Sequence, residues 1–211
     1  MTALLDELGE VIALLQNGAR VEARRRLFTI EEAHQSDFEA RHWCARLYFL
    51  VGDFVSMERS LQAALGLASV KRTSAHLTAI ELYTRLGWFH EAFAVAGFIA
   101  EHANYSADYH FLVAQLEGAA QRPERALEAV RRGIALLEEG SPERIREQMR
   151  LVRQLATLAD LPTLLESLDT VMAEVIAAGD DHMGTRLEVI EMFLDSGAYE
   201  RAHAALDQLE E

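Results

Sequence analysis

The sequence predicts an all-α fold built from about six two-helix repeats. A turn residue, glycine or a substitute, returns at a nearly constant interval, and a helix-forming run follows it each time. Clusters of β-branched residues with alternating polarity are missing, and the chain has only three prolines, so no strand is expected. The turn residues are Gly18, Gly52, Gly87, Gln121, Ala159 and Gly197, at intervals of 34, 35, 34, 38 and 38 residues.

Twelve helices in six pairs follow from these turns, and we expect them to form a single repeat domain over residues 1–211. Pro123 and Pro162 open the second helices of the fourth and fifth pairs. At the start of the fifth pair, Ser141 is expected to cap the helix, Pro142 to be its first residue and Glu143 to place an acid in its first turn. The predicted pairs are 2–16 with 20–34, 37–51 with 54–68, 72–86 with 89–102, 106–119 with 123–139, 142–158 with 161–178, and 181–196 with 199–210. The approximate repeats are 2–35, 36–70, 71–104, 105–140, 141–179 and 180–211.

Positions counted from each turn residue predict how the helices pack. Small side chains are wanted seven residues before the turn and five and twelve residues after it, where two helices come closest. These positions hold Ala45, Met57 and Ala64 in the second pair, Ile80, Ala92 and Ile99 in the third, and Ala114, Ala126 and Gly133 in the fourth. An aromatic side chain four residues before the turn recurs as Tyr48, Tyr83 and Phe193, placed to fill the gap between successive hairpins.

This pattern resembles the tetratricopeptide repeat (TPR), most strongly over residues 48–65, 83–92 and 193–202. The resemblance implies a right-handed superhelical solenoid whose first helices line a concave groove and whose second helices form the outer face. It also implies a protein that binds peptides, extended segments or helices of partners and has no chemistry of its own. The fifth repeat departs from the pattern, because the large residues Arg153, Leu165 and Met172 lie beside its small-residue positions. Leu14 replaces the aromatic residue in the first repeat.

The geometry implied by the resemblance places a set of mixed polar and apolar residues in the groove. They are His42, Arg46, Phe49, Leu77, Glu81, Arg85, Phe111, Gln115, Arg150 and Gln154, followed by Leu187 and Glu191. His42, Arg46 and Leu77 do not match the Lys and Asn pattern of the TPR clamp for acidic chaperone tails, so that function is not expected. Arg46 and Arg85 remain able either to hold a partner carboxylate or to pair with a nearby acid such as Glu81.

The charge of the chain is concentrated near its C-terminal end. Residues 1–153 carry 21 acids and 18 bases, whereas residues 154–211 carry 13 acids and only Arg186 and Arg201 as bases. The negative electrostatic field of this acidic block repels phosphate backbones and anionic lipid, so nucleic acid and membrane surfaces are not expected partners. The acidic block favours either a basic segment of a partner protein or a solubilising end cap of the repeat array.

The first helix has a wide apolar face, made of Leu4, Leu5, Leu8, Val11, Ile12 and Leu15. This face covers more of the helical wheel than one packed neighbour requires. A symmetric contact through it would form a homodimer. Alternatively, the second helix of the same pair and the first helix of the next pair bury it within the chain.

Motifs that carry chemistry are missing from the sequence. There is no cysteine pair at metal spacing, no second histidine to complete a helical zinc motif at His90-Glu91, and no glycine-rich phosphate loop. We therefore expect no enzyme activity, cofactor or metal. The single Cys44 cannot form an intrachain disulfide, so we expect the protein in a reducing compartment, the cytoplasm. The predicted function is a scaffold or adaptor that binds another protein. The alternatives are a secretion-type chaperone and, less favoured, a sensor of small ligands or an enzyme.

Overall fold

The computed structural model describes residues 2–68, 73–157, 161–179 and 182–208, without the side chains of residues 2, 3, 154 and 157. Within these residues the chain forms helices and no strand. The helices are α1 (Thr2–Gln16), α2 (Arg20–Ala33), α3 (Phe38–Val51), α4 (Phe54–Leu67), α5 (Thr73–Leu86), α6 (Phe89–Ala103), α7 (Ala107–Ala119), α8 (Pro123–Ala135), α9 (Pro142–Thr157), α10 (Leu161–Ala178), α11 (Met183–Asp195) and α12 (Tyr199–Asp207). The all-α prediction is confirmed.

The predicted turn residues end helices in the left-handed backbone region. Gly52 has φ 89° and its N–H donates to the carbonyl oxygens of Tyr48 and Phe49, which closes the last turn of α3. Gln121 is the one non-glycine residue with positive φ in the described chain, at 62°, and so takes the conformation that glycine takes in the other hairpins. The predicted turn at Ala159 lies outside the described residues.

The chain divides into two compact units, Met1–Arg122 and Pro123–Glu211. The sequence predicts one array, and the two helices of the predicted fourth hairpin, α7 and α8, fall in different units. Each unit is therefore described separately below, and the single-domain organisation stays a prediction.

In the first unit, the first helices of the hairpins lie side by side. Helix α3 packs against α1 and α5, and α5 packs against α7, while α2, α4 and α6 each contact the helices before and after them in the chain. Tyr48 and Tyr83 are fully buried between successive hairpins, at the positions where the sequence predicts aromatic spacers. The small-residue positions Ala45 and Ala92 are also fully buried, which allows the helices to approach closely.

In the second unit, α9 packs against α8 and α10, α10 against α11, and α11 against α12. Phe193 is fully buried, as the aromatic position of the last hairpin requires. The irregular fifth hairpin places Met172 in the core, whereas Arg153 remains on the surface and pairs with Glu188 at 2.6 Å. Of the unusual residues, the second unit thus buries Met172, half-buries Leu165 and exposes Arg153.

Side-chain caps explain where several helices begin. Ser141 Oγ accepts the N–H of Arg144 at 3.3 Å, so the predicted cap of α9 is confirmed.

Helix α8 ends at Ala135, earlier than the predicted residue 139. The N–H groups of Leu136 and Leu137 bond to carbonyls only three residues back, and these tighter turns end the α-helical pattern.

The wide apolar face of α1 is largely used inside the chain. Leu4, Leu8 and Val11 are buried in the core of the first unit, and Leu15 packs against that core. The prediction that these side chains form an open dimer face is therefore wrong for the buried three, because α2 and α3 already cover them. Leu5 and Ile12 remain exposed, and a dimer through them stays a prediction.

Candidate partner-binding site

Two neighbouring helices of the first unit bring together four of the predicted groove residues. Arg46 and Phe49 are three residues apart on α3, and Glu81 and Arg85 are four apart on α5, so each pair shares one helix face. The two faces meet because Ala45, seven residues before its turn, lets α3 lie close to its neighbours. We call this surface the α3–α5 face: Trp43, Arg46, Phe49, Glu81 and Arg85, which are joined by side-chain contacts, and Leu50, one helical turn after Arg46 on α3.

Glu81 lies between the two arginines at the centre of the α3–α5 face. Its Oε2 is 3.5 Å from Arg46 Nη2, and its Oε1 is 3.5 Å from Arg85 Nη1. Arg46 Nη1 also donates to Thr78 Oγ1 at 3.4 Å. Of the two alternatives left open by the sequence, pairing with Glu81 is therefore the arrangement present in the free chain.

Aromatic rings lie beneath both guanidinium groups. The Arg85 guanidinium is 4.6 Å from the ring centroid of Phe49, and that of Arg46 is 5.9 Å from the ring centroid of Trp43. Phe49 is in turn 6.0 Å from Phe54, at the start of α4. These cation–π contacts hold the arginine side chains against the helix surface and limit the positions of their N–H groups.

His42 is not available to a partner, which corrects its predicted role in the groove. Its ring is buried, its Nε2 lies 2.8 Å from Thr78 Oγ1, and it stacks on Phe38 at 5.7 Å. Burial, followed by the nearby Arg46 charge, lowers the pKa of His42, although Glu39 opposes this shift. His42 therefore joins α3 to α5 beneath the surface.

The remaining predicted groove residues of the first unit differ in exposure. Leu77 is half-buried and packs against the core, and Phe111 on α7 is also half-buried. Gln115 on α7 is exposed. Because α7 lies next to α5, Phe111 and Gln115 belong to the same row of first helices as the α3–α5 face.

Two exposed apolar residues of the α3–α5 face were missed by the sequence prediction. Trp43 is 41% exposed and Leu50 is 55% exposed, although both are large and apolar. They lie three residues before and four residues after Arg46, so helical spacing alone places them on its face. This helical spacing is visible in the sequence, but the same spacing is also compatible with burial of Trp43 and Leu50 in the core.

In the second unit, only part of the predicted groove can be described. Arg150 is exposed on α9, and its Nη1 lies 3.6 Å from Glu147 one turn earlier. Leu187 and Glu191 are exposed on α11. The side chain of Gln154 lies outside the described residues.

Reactive and metal-binding groups do not converge in the part of the chain described. Cys44 is buried, and desolvation followed by the Glu31 charge raises the pKa of its thiol to about 12, so it stays protonated at neutral pH. The described His, Cys, Asp and Glu side chains include no cluster of three or more suited to hold a metal ion. Among the same residues, no helix is long and apolar enough to cross a bilayer.

Comparison with known proteins finds similar solved structures only, since no protein-family model and no curated protein matches the sequence. TPR-like repeats of a Podosopora anserina protein described as a kinesin light chain align with a TM-score of 0.64 and 16% identity, covering 82% of this chain and 94% of that one. A thermophilic TPR protein from Thermus thermophilus aligns with a TM-score of 0.55 and 17% identity, covering 96% and 98% of the two chains.

A third similar structure is MamA, from residue 41 to its end, of Desulfovibrio magneticus RS-1. It aligns with a TM-score of 0.59 and 18% identity, covering 84% of this chain and 97% of that one. The long coverage means that the likeness extends over most of the helical array. The chain therefore has a TPR-like fold.

Proposed function

We propose that this protein is an interaction scaffold without enzyme activity, and that the α3–α5 face binds a peptide or helix of a partner protein. The observation that carries the proposal is the exposure of Trp43 and Leu50 beside two arginines that rest on aromatic rings. Trp and Arg are the residue types most enriched among the energetically dominant residues of protein interfaces. A surface that exposes both in one cluster is suited to burial by another chain.

The shape of the first unit supports a polypeptide ligand. Its first helices lie side by side, so their exposed faces form a surface that extends across several helices. Partner helices and extended peptides bind such surfaces by placing a few anchoring side chains at helical or extended spacing. Phe111 and Gln115 extend the surface beyond the α3–α5 face on the side of α7.

The absence of enzyme activity is part of the proposal, and the state of the reactive groups supports it. Burial, followed by nearby carboxylates, raises the pKa of the Tyr48 and Tyr83 hydroxyls, and Cys44 is buried and protonated. None of these groups is poised to act as a nucleophile or base at neutral pH. A fold alone does not determine a function, so this argument depends on the groups themselves.

Affinity purification with variants of the intact chain tests this function. We expect the tagged protein to retain a specific partner, and both Phe49→Ala and Phe111→Ala to reduce its recovery. Phe28→Ala is the matched control, because Phe28 is exposed on α2, a second helix, and lies away from the first-helix surface. Circular dichroism must show that all variants keep the helical content of the parent chain.

The outcome that contradicts the proposed site is equally specific. A partner retained equally by the parent chain, Phe49→Ala and Phe111→Ala would exclude the first-helix surface. The acidic residues near the C-terminus would then be the next surface to test, with a partner segment rich in Lys and Arg.

A further inference from the structure

The two arginines of the α3–α5 face are incompletely neutralised in the free chain. At 3.5 Å, their ion pairs with Glu81 are longer than the usual hydrogen-bond distance of about 2.9 Å. A guanidinium carries five N–H donors, and Arg46 and Arg85 are 41% and 55% exposed. One carboxylate thus faces two cations, and both guanidinium groups remain accessible to solvent.

We propose that the α3–α5 face selects partner segments that carry a carboxylate, which binds between Arg46 and Arg85, and that Glu81 competes with it from within the chain. This inference rests on the proposed function, because it specifies the partner of the same surface. The charge complementarity is direct: two guanidinium groups and one carboxylate leave one unbalanced positive charge. A partner acid would supply the missing negative charge and form shorter, charge-assisted hydrogen bonds.

The aromatic contacts make the arginines a prepared binding site for an acid. Phe49 and Trp43 hold the two guanidinium groups from below, so a partner carboxylate would not need to order two free side chains. Exposed pairs between flexible side chains gain little free energy, largely because that ordering is costly. The same aromatic rings exclude water from one side of the guanidinium groups, which strengthens the attraction.

An exposed apolar residue of α1 adds a second specificity element. Ile12 lies six residues before its turn at Gly18, and Arg46 lies six residues before Gly52, so they occupy equivalent positions on neighbouring helices. Packed helices are about 8–10 Å apart. This spacing matches two side chains seven residues apart on a partner helix, or three residues apart on a polyproline II segment, where every third side chain lies on the same face. We therefore infer a partner with an apolar and an acidic side chain at one of these spacings.

Selection from a phage-displayed library of random twelve-residue peptides tests this inference with the full chain as bait. We expect peptides bound to the parent protein to be enriched in Asp and Glu relative to the input library. The enrichment should disappear with the double variant Arg46→Gln/Arg85→Gln and persist with Arg132→Gln. Arg132 is the matched control, because it is an exposed arginine that also pairs with a glutamate, Glu128 on α8.

Affinities of one selected acidic peptide, measured by fluorescence anisotropy, provide the second part of the test. We expect the double arginine variant to weaken binding at least about tenfold, since charge-assisted hydrogen bonds are lost. Glu81→Gln should strengthen binding by about threefold, because it removes the internal competitor and leaves a side chain of the same size. A Glu81→Gln variant that binds the peptide less tightly would overturn the competitor role.

The failure of this inference can be distinguished from failure of the proposed function. Selected peptides that need Phe49 but show no acidic enrichment would overturn the inference and leave the proposed surface intact. Selection of no peptides, or of peptides that ignore Phe49, would count against both. A dimer of the free chain that dissociates in Arg46→Gln/Arg85→Gln, observed by sedimentation velocity, would identify a second copy as the occupant and overturn the proposal for an acidic partner.

Discussion

His42 and Thr78 join the two helices of the candidate site from beneath, with 2.8 Å between His42 Nε2 and Thr78 Oγ1. Both residues are buried. A buried polar group without a hydrogen-bond partner costs about 1–3 kcal/mol, so the pair favours one register of α3 against α5. The same contact determines how Arg46 and Glu81 meet above it, since Arg46 also donates to Thr78 Oγ1.

The buried imidazole predicts that the stability of the protein falls as the solution is acidified. The pKa of His42 in the folded chain lies below its ordinary value of 6.5, because of burial and the nearby Arg46 charge. When the pH falls below 6.5, the unfolded chain therefore binds a proton that the folded chain does not, and the equilibrium shifts towards unfolding. Urea unfolding at pH 7.5 and pH 5.5 should show this loss, and His42→Gln should make it smaller. An equal loss in parent and variant would exclude His42 as its origin.

A second prediction concerns Glu31, which is buried where α2, α3 and α4 meet. Its carboxylate accepts hydrogen bonds from Ser60 Oγ at 2.5 Å and Arg59 Nη2 at 2.8 Å, and it pairs with Arg41. We expect Glu31→Ala to lower the free energy of unfolding by about 3–5 kcal/mol, because it leaves the largely buried Arg41 guanidinium and the buried Ser60 hydroxyl without their anionic partner. Chemical denaturation measures the loss.

Glu7→Ala is the matched control for Glu31→Ala. Glu7 also pairs with an arginine, Arg26 at 3.5 Å, but is partly exposed, so its removal should cost no more than about 1 kcal/mol. Similar losses for the two variants would show that the Glu31 network adds no more stability than an exposed ion pair.

The regular spacing of the turns made most of the fold predictable from the sequence. Each hairpin needs a left-handed turn residue, a buried aromatic spacer and small contact residues, and these recur at fixed offsets along the chain. The conformation and packing within each hairpin are enough to require them. Exposure was less predictable. His42 and Leu8 carry helical spacing similar to that of Arg46 and Ile12, yet the first two are buried and the second two face solvent. Which side a residue faces depends on how neighbouring hairpins pack, and periodicity within one helix does not contain that information.

A third prediction separates backbone conformation from side-chain space at glycine. A Cβ added at Gly52 would meet nothing within 4 Å, so any cost of Gly52→Ala comes from its φ of 89°. We expect this variant to lose about 1–2 kcal/mol of stability. Gly97→Ala is the control, because Gly97 is exposed, lies in the middle of α6 and also has open space around it. That variant should gain about 0.5–1 kcal/mol. Thermal unfolding of both would contradict the argument if the two changes had the same sign.

A fourth prediction concerns Arg186, which is buried in the second unit at the C-terminal end of α10. Its Nη2 donates to the carbonyl oxygen of Gly179 at 3.0 Å and lies 3.4 Å from that of Val175, so the guanidinium satisfies carbonyls that the helix leaves unpaired. Arg186→Ala should therefore destabilise this unit by about 2–3 kcal/mol. Hydrogen exchange measured by mass spectrometry should show faster exchange in α10 and α11, with little change in α1 to α6.

Arg201→Ala is the matched control for Arg186→Ala, because Arg201 also belongs to the second unit but pairs with Asp169 at the exposed surface, at 2.7 Å. Water can replace this ion pair, so its loss should cost no more than about 1 kcal/mol. If the two variants exchanged at the same rate throughout α10 and α11, the buried guanidinium would not be what secures the end of α10. Faster exchange confined to the Arg186 variant would show that a charged side chain within the second unit stabilises its helix packing.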